Sequence, residues 1–199
     1  MAPFTQYEKM ITLTSTEVNS GVYTEFNQTN LNYRDLPEAA FASASIPFIF
    51  PQHVWKGKGV FMDGGTVYNI NIESAIHQCV NQGYTESQII VDALFCGAPD
   101  SPPSEPQAGN SYENYMRQRQ LSTYFHNSNS ISATMIAHPD IQMRYVLKQQ
   151  DGFGGLDMIN FEGDFTWAAQ TRGRQDAQNA LNGNHNLVNV VDLIAEWNQ

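Results

Sequence analysis

Cysteine is almost missing from this chain: 199 residues contain two, Cys79 and Cys96. One possible pair cannot make a disulfide framework, and an intracellular, reducing compartment (cytoplasmic or organellar) is the simpler expectation. Basic residues are scarce as well, ten Lys and Arg against twenty Asp and Glu, for a formal net charge of −10. A chain so charged repels phosphate backbones, which argues against nucleic acid as a partner. Long apolar runs are lacking. The longest, Ala39 to Pro51, is interrupted by Ser43, Ser45 and Pro47 and is too short to cross a bilayer. The first ten residues, MAPFTQYEKM, have no apolar stretch of signal-peptide type. Charge of either sign is low, at 15%, and much polarity comes from 18 Asn and 16 Gln. What is present is a core: 41% apolar and 12% aromatic residues exclude a disordered chain.

Read along its length, the chain alternates strand and helix signals. Met10 to Thr16 is rich in β-branched residues, Glu17 to Gly21 is a turn, and Val22 to Phe26 is a second strand, which together predict a hairpin. Pro37 opens a short helix of small residues that must stop before Pro47. Phe48 to Pro51 is expected to be a buried, extended connector. Gly59 to Met62 reads as a short strand running into the tight turn Asp63-Gly64-Gly65. Ile72 to Gln82 has helical spacing and Gly83 as its stop. Gln88 to Gly97 is a nearly continuous apolar run, as expected of a strand covered on both faces. Pro99 to Gly109 is expected to be a surface loop, with helices at 111–126 and 128–149. A glycine-rich turn, a strand at 156–161 and helices at 172–182 and 186–197 complete the reading. No linker divides two domains, so residues 1–199 are expected to form a single α/β domain or part of one.

Most chemistry-bearing patterns fail on spacing. His77 and Cys79 diverge on a helix, and the remaining His residues have no partner at zinc spacing. Asp151, Asp157, Glu162 and Asp164 miss the calcium-loop register. Gly152-Phe-Gly154-Gly155 has no strand-to-helix context, the third fingerprint position is Asp157 where a glycine is needed, and no phosphate-binding lysine follows. Neither a metal nor a cofactor is expected. No G-x-S-x-G nucleophile elbow occurs.

One ordered series remains. It runs from Thr12 to Gly21, through Ala42-Ser43-Ala44-Ser45-Ile46-Pro47-Phe48-Ile49-Phe50-Pro51, then Asp63-Gly64-Gly65, then Asn69-Ile70-Asn71, and ends in the strand 89–97. In order and spacing this series, over about residues 10–100, resembles the second half of a patatin-like phospholipase domain. That family's pattern is T-D-x-x-T-G, A-S-x-A-x-P-x-x-F-P-P, D-G-G or D-G-A, then N-x-P. Here Thr16-Glu17, Pro51-Gln52 and Asn69-Ile70-Asn71 depart from it.

The resemblance implies a three-layer α/β sandwich, incomplete here, with a motif-bearing part at 10–100 and a helical part at 111–199. It implies a Ser–Asp dyad for lipid acyl hydrolysis, in which Asp63 is the base, supported by Gly64 and Gly65. The serine and its oxyanion loop belong to a preceding half that this chain lacks. Ser43 and Ser45 lie at a helix end without an elbow glycine, where serine caps or packs. The expected function is therefore one of two. The chain is the C-terminal portion of a lipid acyl hydrolase that is inactive by itself, or a non-catalytic, patatin-derived subunit of a larger assembly. In the first reading the serine and oxyanion loop lie on another polypeptide or on an upstream segment outside this sequence. An obligate protein partner is expected to complete the sheet beside the Asp-bearing strand, with a lipid substrate only if that partner brings the serine.

Overall fold

The computed structural model describes residues 9–95, 109–148 and 160–183. They fall in two compact units, Met1–Gln82 and Gly83–Gln199.

The first unit opens with the expected hairpin. β1 (Thr12–Glu17) pairs antiparallel with β2 (Tyr23–Asn27), in a register that sets Leu13 opposite Phe26 and Ser15 opposite Thr24. Gly21, at φ +70°, supplies the left-handed backbone the turn needs. The Glu17 carboxylate ties this turn together, accepting the Ser20 N–H and Ser20 hydroxyl, both at 2.7 Å, and the Asn19 amide at 3.0 Å. These bonds pull its pKa down to about 2.

Pro37 sits in the first turn of α1 (Leu36–Ser43), where its missing N–H costs nothing. β3 (His53–Trp55) and β4 (Gly59–Asp63) follow, and the sheet order is β2-β1-β4-β3, antiparallel throughout. Side chains alternate across it. One face carries Leu13, Phe26, Trp55 and Phe61, which close over Ala39 and Ala42 of α1 in the core of the unit. The three rings meet with centroids 5.1–6.2 Å apart. The other face carries Thr12 and Glu25, which hydrogen-bond to Gln78 and Ser74 of α2 (Ile72–Asn81). Helix, sheet and helix thus make three layers within this unit, an α/β arrangement.

The second unit holds β5 (Ile90–Phe95), α3 (Ser111–Ala137), β6 (Gln142–Lys148) and α4 (Gly163–Leu181). β5 and β6 pair in parallel, with a register shift between Val91 and Asp92. Arg144 grips Asp92 across the pair through its Nε (3.0 Å) and a second guanidinium nitrogen. This holds the Asp92 carboxyl below its usual range. Asn110 and Glu113 form a reciprocal capping box at the start of α3.

Several expectations are corrected. Residues 111–137 are one helix, and the segment read as the end of a second helix is strand β6, so the part from 111 onward is not wholly helical. Phe48 is fully exposed in a turn and is no buried, extended connector. β5 is covered on one face: Ala93 is buried, whereas Ile90 and Leu94 are more than half exposed. α4 begins nine residues before the expected 172. The Asp-bearing strand β4 is paired on both sides, by β1 and β3, and is not the strand left open. The expected strand at 156–161 and the expected loop at 99–109 fall mainly outside the described residues, and the expected helix at 186–197 wholly so.

Candidate functional site

β4 ends on Asp63, as the spacing anticipates, and the chain turns at once into a single 3-10 turn, Gly64–Thr66. Asp63 is the cap of that turn: its Oδ1 accepts the Gly65 N–H at 2.6 Å. Its own N–H donates to the Ser45 carbonyl at 2.9 Å, which pins the end of α1 beside the strand. Burial raises the Asp63 pKa above the ordinary carboxylate value, and the Gly65 N–H opposes part of that rise. Among the described residues no ion pair offsets the burial.

The two glycines are required by contact. A Cβ on Gly64 would lie 2.6 Å from Thr14 Oγ1 and 2.7 Å from the Thr14 carbonyl oxygen. A Cβ on Gly65 would meet Asn69 Oδ1 at 2.7 Å and Asp63 Oδ1 at 2.8 Å. Turn, strand β1 and the Asn69 side chain therefore close on one another only because both side chains are missing.

Serine placement is informative. Ser15 stands directly opposite Asp63 across β1 and β4, yet its hydroxyl is wholly buried and makes no hydrogen bond. The Ser45 hydroxyl donates to the Phe41 carbonyl at 2.7 Å, the helix-end role that sequence reasoning assigns it. Ser43 lies in the last turn of α1.

A second polar group was not read from the sequence. Asn71 caps α2 by accepting the Ser74 N–H at 3.1 Å, while its amide donates to Glu25 Oε1 at 3.2 Å. The Ser74 hydroxyl donates to the same Glu25 oxygen. Tyr23 donates to the Tyr68 carbonyl at 3.2 Å, and burial pushes its phenol pKa up. Asn71 as a cap before a helical run was a visible signal; its bond to Glu25 depends on strand register, which composition does not carry. Nearby, Thr12, Thr14, Asn69, Asn71, Gln78 and Cys79 line an open cleft of about 530 Å³ with no formally charged side chain. Among the described residues no three His, Cys, Asp or Glu side chains gather as a metal would require.

A carboxylate at a strand tip, desolvated and held by one backbone N–H, can accept a proton from a hydroxyl brought to it. Residues 3–76 match the family model of the patatin-like phospholipases. This stretch is patatin-like. The match covers Asp63-Gly64-Gly65, the Ala42–Pro51 series and the hairpin before them. It marks a domain of lipid-hydrolase type. Neither the curated proteins nor the solved structures yielded a match. No helix among the described residues is long and apolar enough to cross a membrane.

Proposed function

We propose that this chain contributes the base of a patatin-like lipid acyl hydrolase, with Asp63 as the dyad carboxylate and the serine supplied from outside residues 1–199. The carrying observation is Asp63 itself: last residue of β4, half-buried without a counter-charge, and fixed by the Gly65 N–H. In this reaction Asp63 takes the proton from the incoming serine hydroxyl as its oxygen attacks the ester carbonyl carbon. The tetrahedral intermediate collapses, and the departing alcohol takes that proton back. Water then attacks the acyl-serine with Asp63 again as base, releasing fatty acid and restoring the serine. The upward shift that burial gives the Asp63 carboxyl helps the first transfer, because a more basic carboxylate is a better proton acceptor.

The partner that brings the serine is proposed to add strands by edge pairing. Among the described residues the outer strands β2 and β3 of the first sheet have no further neighbour, and the β5–β6 pair is two-stranded. A parallel pair with exposed Ile90 and Leu94 is an unusual structure to leave alone in water. An obligate interface of this kind buries more than about 2,000 Å² in total.

A non-catalytic reading is favoured by a separate observation. Of the serines beside Asp63, Ser15 is sealed, and Ser45, just past α1, is bonded back to the helix carbonyl of Phe41. In that reading the chain is a structural subunit of the same assembly.

The test is co-purification followed by ester hydrolysis. The chain alone gives no turnover of short acyl esters above background. The complex turns them over, and Asp63→Asn lowers that rate about 10²–10⁴-fold. Turnover by the isolated chain that is lost on Ser43→Ala or Ser45→Ala defeats the proposal. A stable complex without turnover selects the structural reading.

A further inference from the structure

The turn between α1 and β3 stands apart from everything described above. Phe48 has φ +76°, and among the described residues it is the one non-glycine with positive φ. A bulky residue in this region is strained, since its Cβ crowds the backbone there. Its side chain gains nothing visible in return from its own chain, being 97% exposed. Strain that serves no internal contact points to an external one.

The surrounding residues repeat the signal. Phe41 is 66% exposed, Phe50 43% and Ile46 37%. The backbone is fixed in place: the Ile46 carbonyl accepts the N–H groups of Ile49 (3.2 Å) and Phe50 (2.9 Å), with Pro47 and Pro51 on either side of the tip. A tip so restrained loses little conformational entropy when it binds. No Asp, Glu, Lys or Arg lies between Glu38 and Lys56, in a chain whose net charge is −10.

We infer that the Ile46–Phe50 tip is a wedge that enters a lipid–water interface, with Phe48 as the leading side chain. A ring that stands clear of its own surface suits a fluid apolar medium. A protein partner would instead need a dedicated pocket for that one ring, and protein anchors sit within flatter patches bounded by a polar rim. Interfacial binding grows with the apolar area inserted, and two phenyl rings beside an isoleucine supply it. Charge sets the lipid: an uncharged tip on an acidic chain favours zwitterionic over anionic bilayers. The inference shares its lipid with the hydrolase reading but stands on the turn, not on Asp63.

The experiment uses the full chain, with any partner that co-purifies, and phosphatidylcholine vesicles in a sedimentation assay. The chain partitions onto vesicles, and Phe48→Gly weakens the partition at least about tenfold, the loss expected for one inserted phenyl ring. Phe48→Leu retains most of the binding. Glycine also relieves the strained φ, so Phe48→Gly melts at the same or a higher temperature, which excludes unfolding as the cause. Asp63→Asn binds vesicles like the unaltered chain. Vesicle binding through Phe48 without ester turnover keeps this inference and removes the hydrolase; turnover with unchanged vesicle binding in Phe48→Gly does the reverse. No vesicle binding at all overturns the wedge, as does stronger binding to anionic vesicles. So does concentration-dependent dimerisation that Phe48→Gly abolishes, which would make the turn a contact between copies of this chain.

Discussion

Asp63 carries opposed demands on stability and chemistry. Burial raises its folded pKa above its unfolded value, so the ionised form is penalised in the fold. Stability from the protonated carboxyl is present at low pH and lost as pH rises through the unfolded and then the folded value. Asn keeps an oxygen for the Gly65 N–H and removes the charge. Asp63→Asn is therefore expected to raise the melting temperature near neutral pH, a gain that shrinks as the buffer is acidified; scanning calorimetry across pH 4–7 would read it. A fall in melting temperature at neutral pH would mean that the carboxylate has a favourable partner. Glu17 behaves with the opposite sign. Its folded pKa of about 2 lies below the ordinary 4.5, so its contribution is complete above the unfolded value and fades as pH drops towards 2. Glu17 is partly exposed at the end of β1 and its bonds stay within one turn, so the effect is local. The protection of the Ser20 and Gly21 amides against exchange, relative to a free amide at the same pH, should fall over that interval, and Glu17→Gln should show the lower protection at every pH.

At the scale of elements, the two glycines after β4 should separate. Gly64→Ala drives a methyl into the Thr14 backbone, which only a displaced strand can relieve, and should cost about 1–3 kcal/mol in a denaturant titration. Gly65→Ala meets the ends of the Asn69 and Asp63 side chains, which can swing. It should leave stability closer to unchanged while displacing the carboxylate, so in the proposed complex turnover should fall further than the melting temperature does. The hairpin, α1, β4 with its Asp-Gly-Gly turn, and α2 were legible because local signals agree there: turn residues, Pro37 at a helix start, Asn71 before a helical run. β6 was missed although Pro139 announces it. A proline restricts the residue before it away from helix, and Ala137 is indeed the last helical residue. Ile90 and Leu94 were expected to be covered because an apolar run cannot say which of its faces finds a neighbour. Phe48 was expected inside because hydrophobicity predicts burial, and only φ reveals that the backbone turns it outward. Asp63 itself was placed by motif order, while its desolvation and the closeness of Thr14 needed coordinates.

For the molecule as a whole, the two sheets differ in how far apart their strands lie along the chain. β1 and β2 are separated by a short turn, and β4 adds to them from within the same unit. β5 and β6 meet only after a long excursion: Asp92 and Arg144 are 52 positions apart. Closing a longer loop costs more entropy before any contact repays it, so pairings distant along the chain form slowly. The first sheet is thus expected to gain protection early in refolding, and the β5–β6 pair late. Pulsed hydrogen exchange would show β1 and β2 amides protected while those of β5 still exchange; simultaneous protection would refute this order. During that interval the segment Ile89-Ile90-Val91-Asp92-Ala93-Leu94-Phe95 has a single charge and no proline, the composition that seeds intermolecular strand pairing. On a ribosome, β5 emerges well before β6 exists to receive it. The parallel pairing therefore gives the chain a vulnerable age, a span of its synthesis in which a chaperone able to shield seven residues should decide its yield.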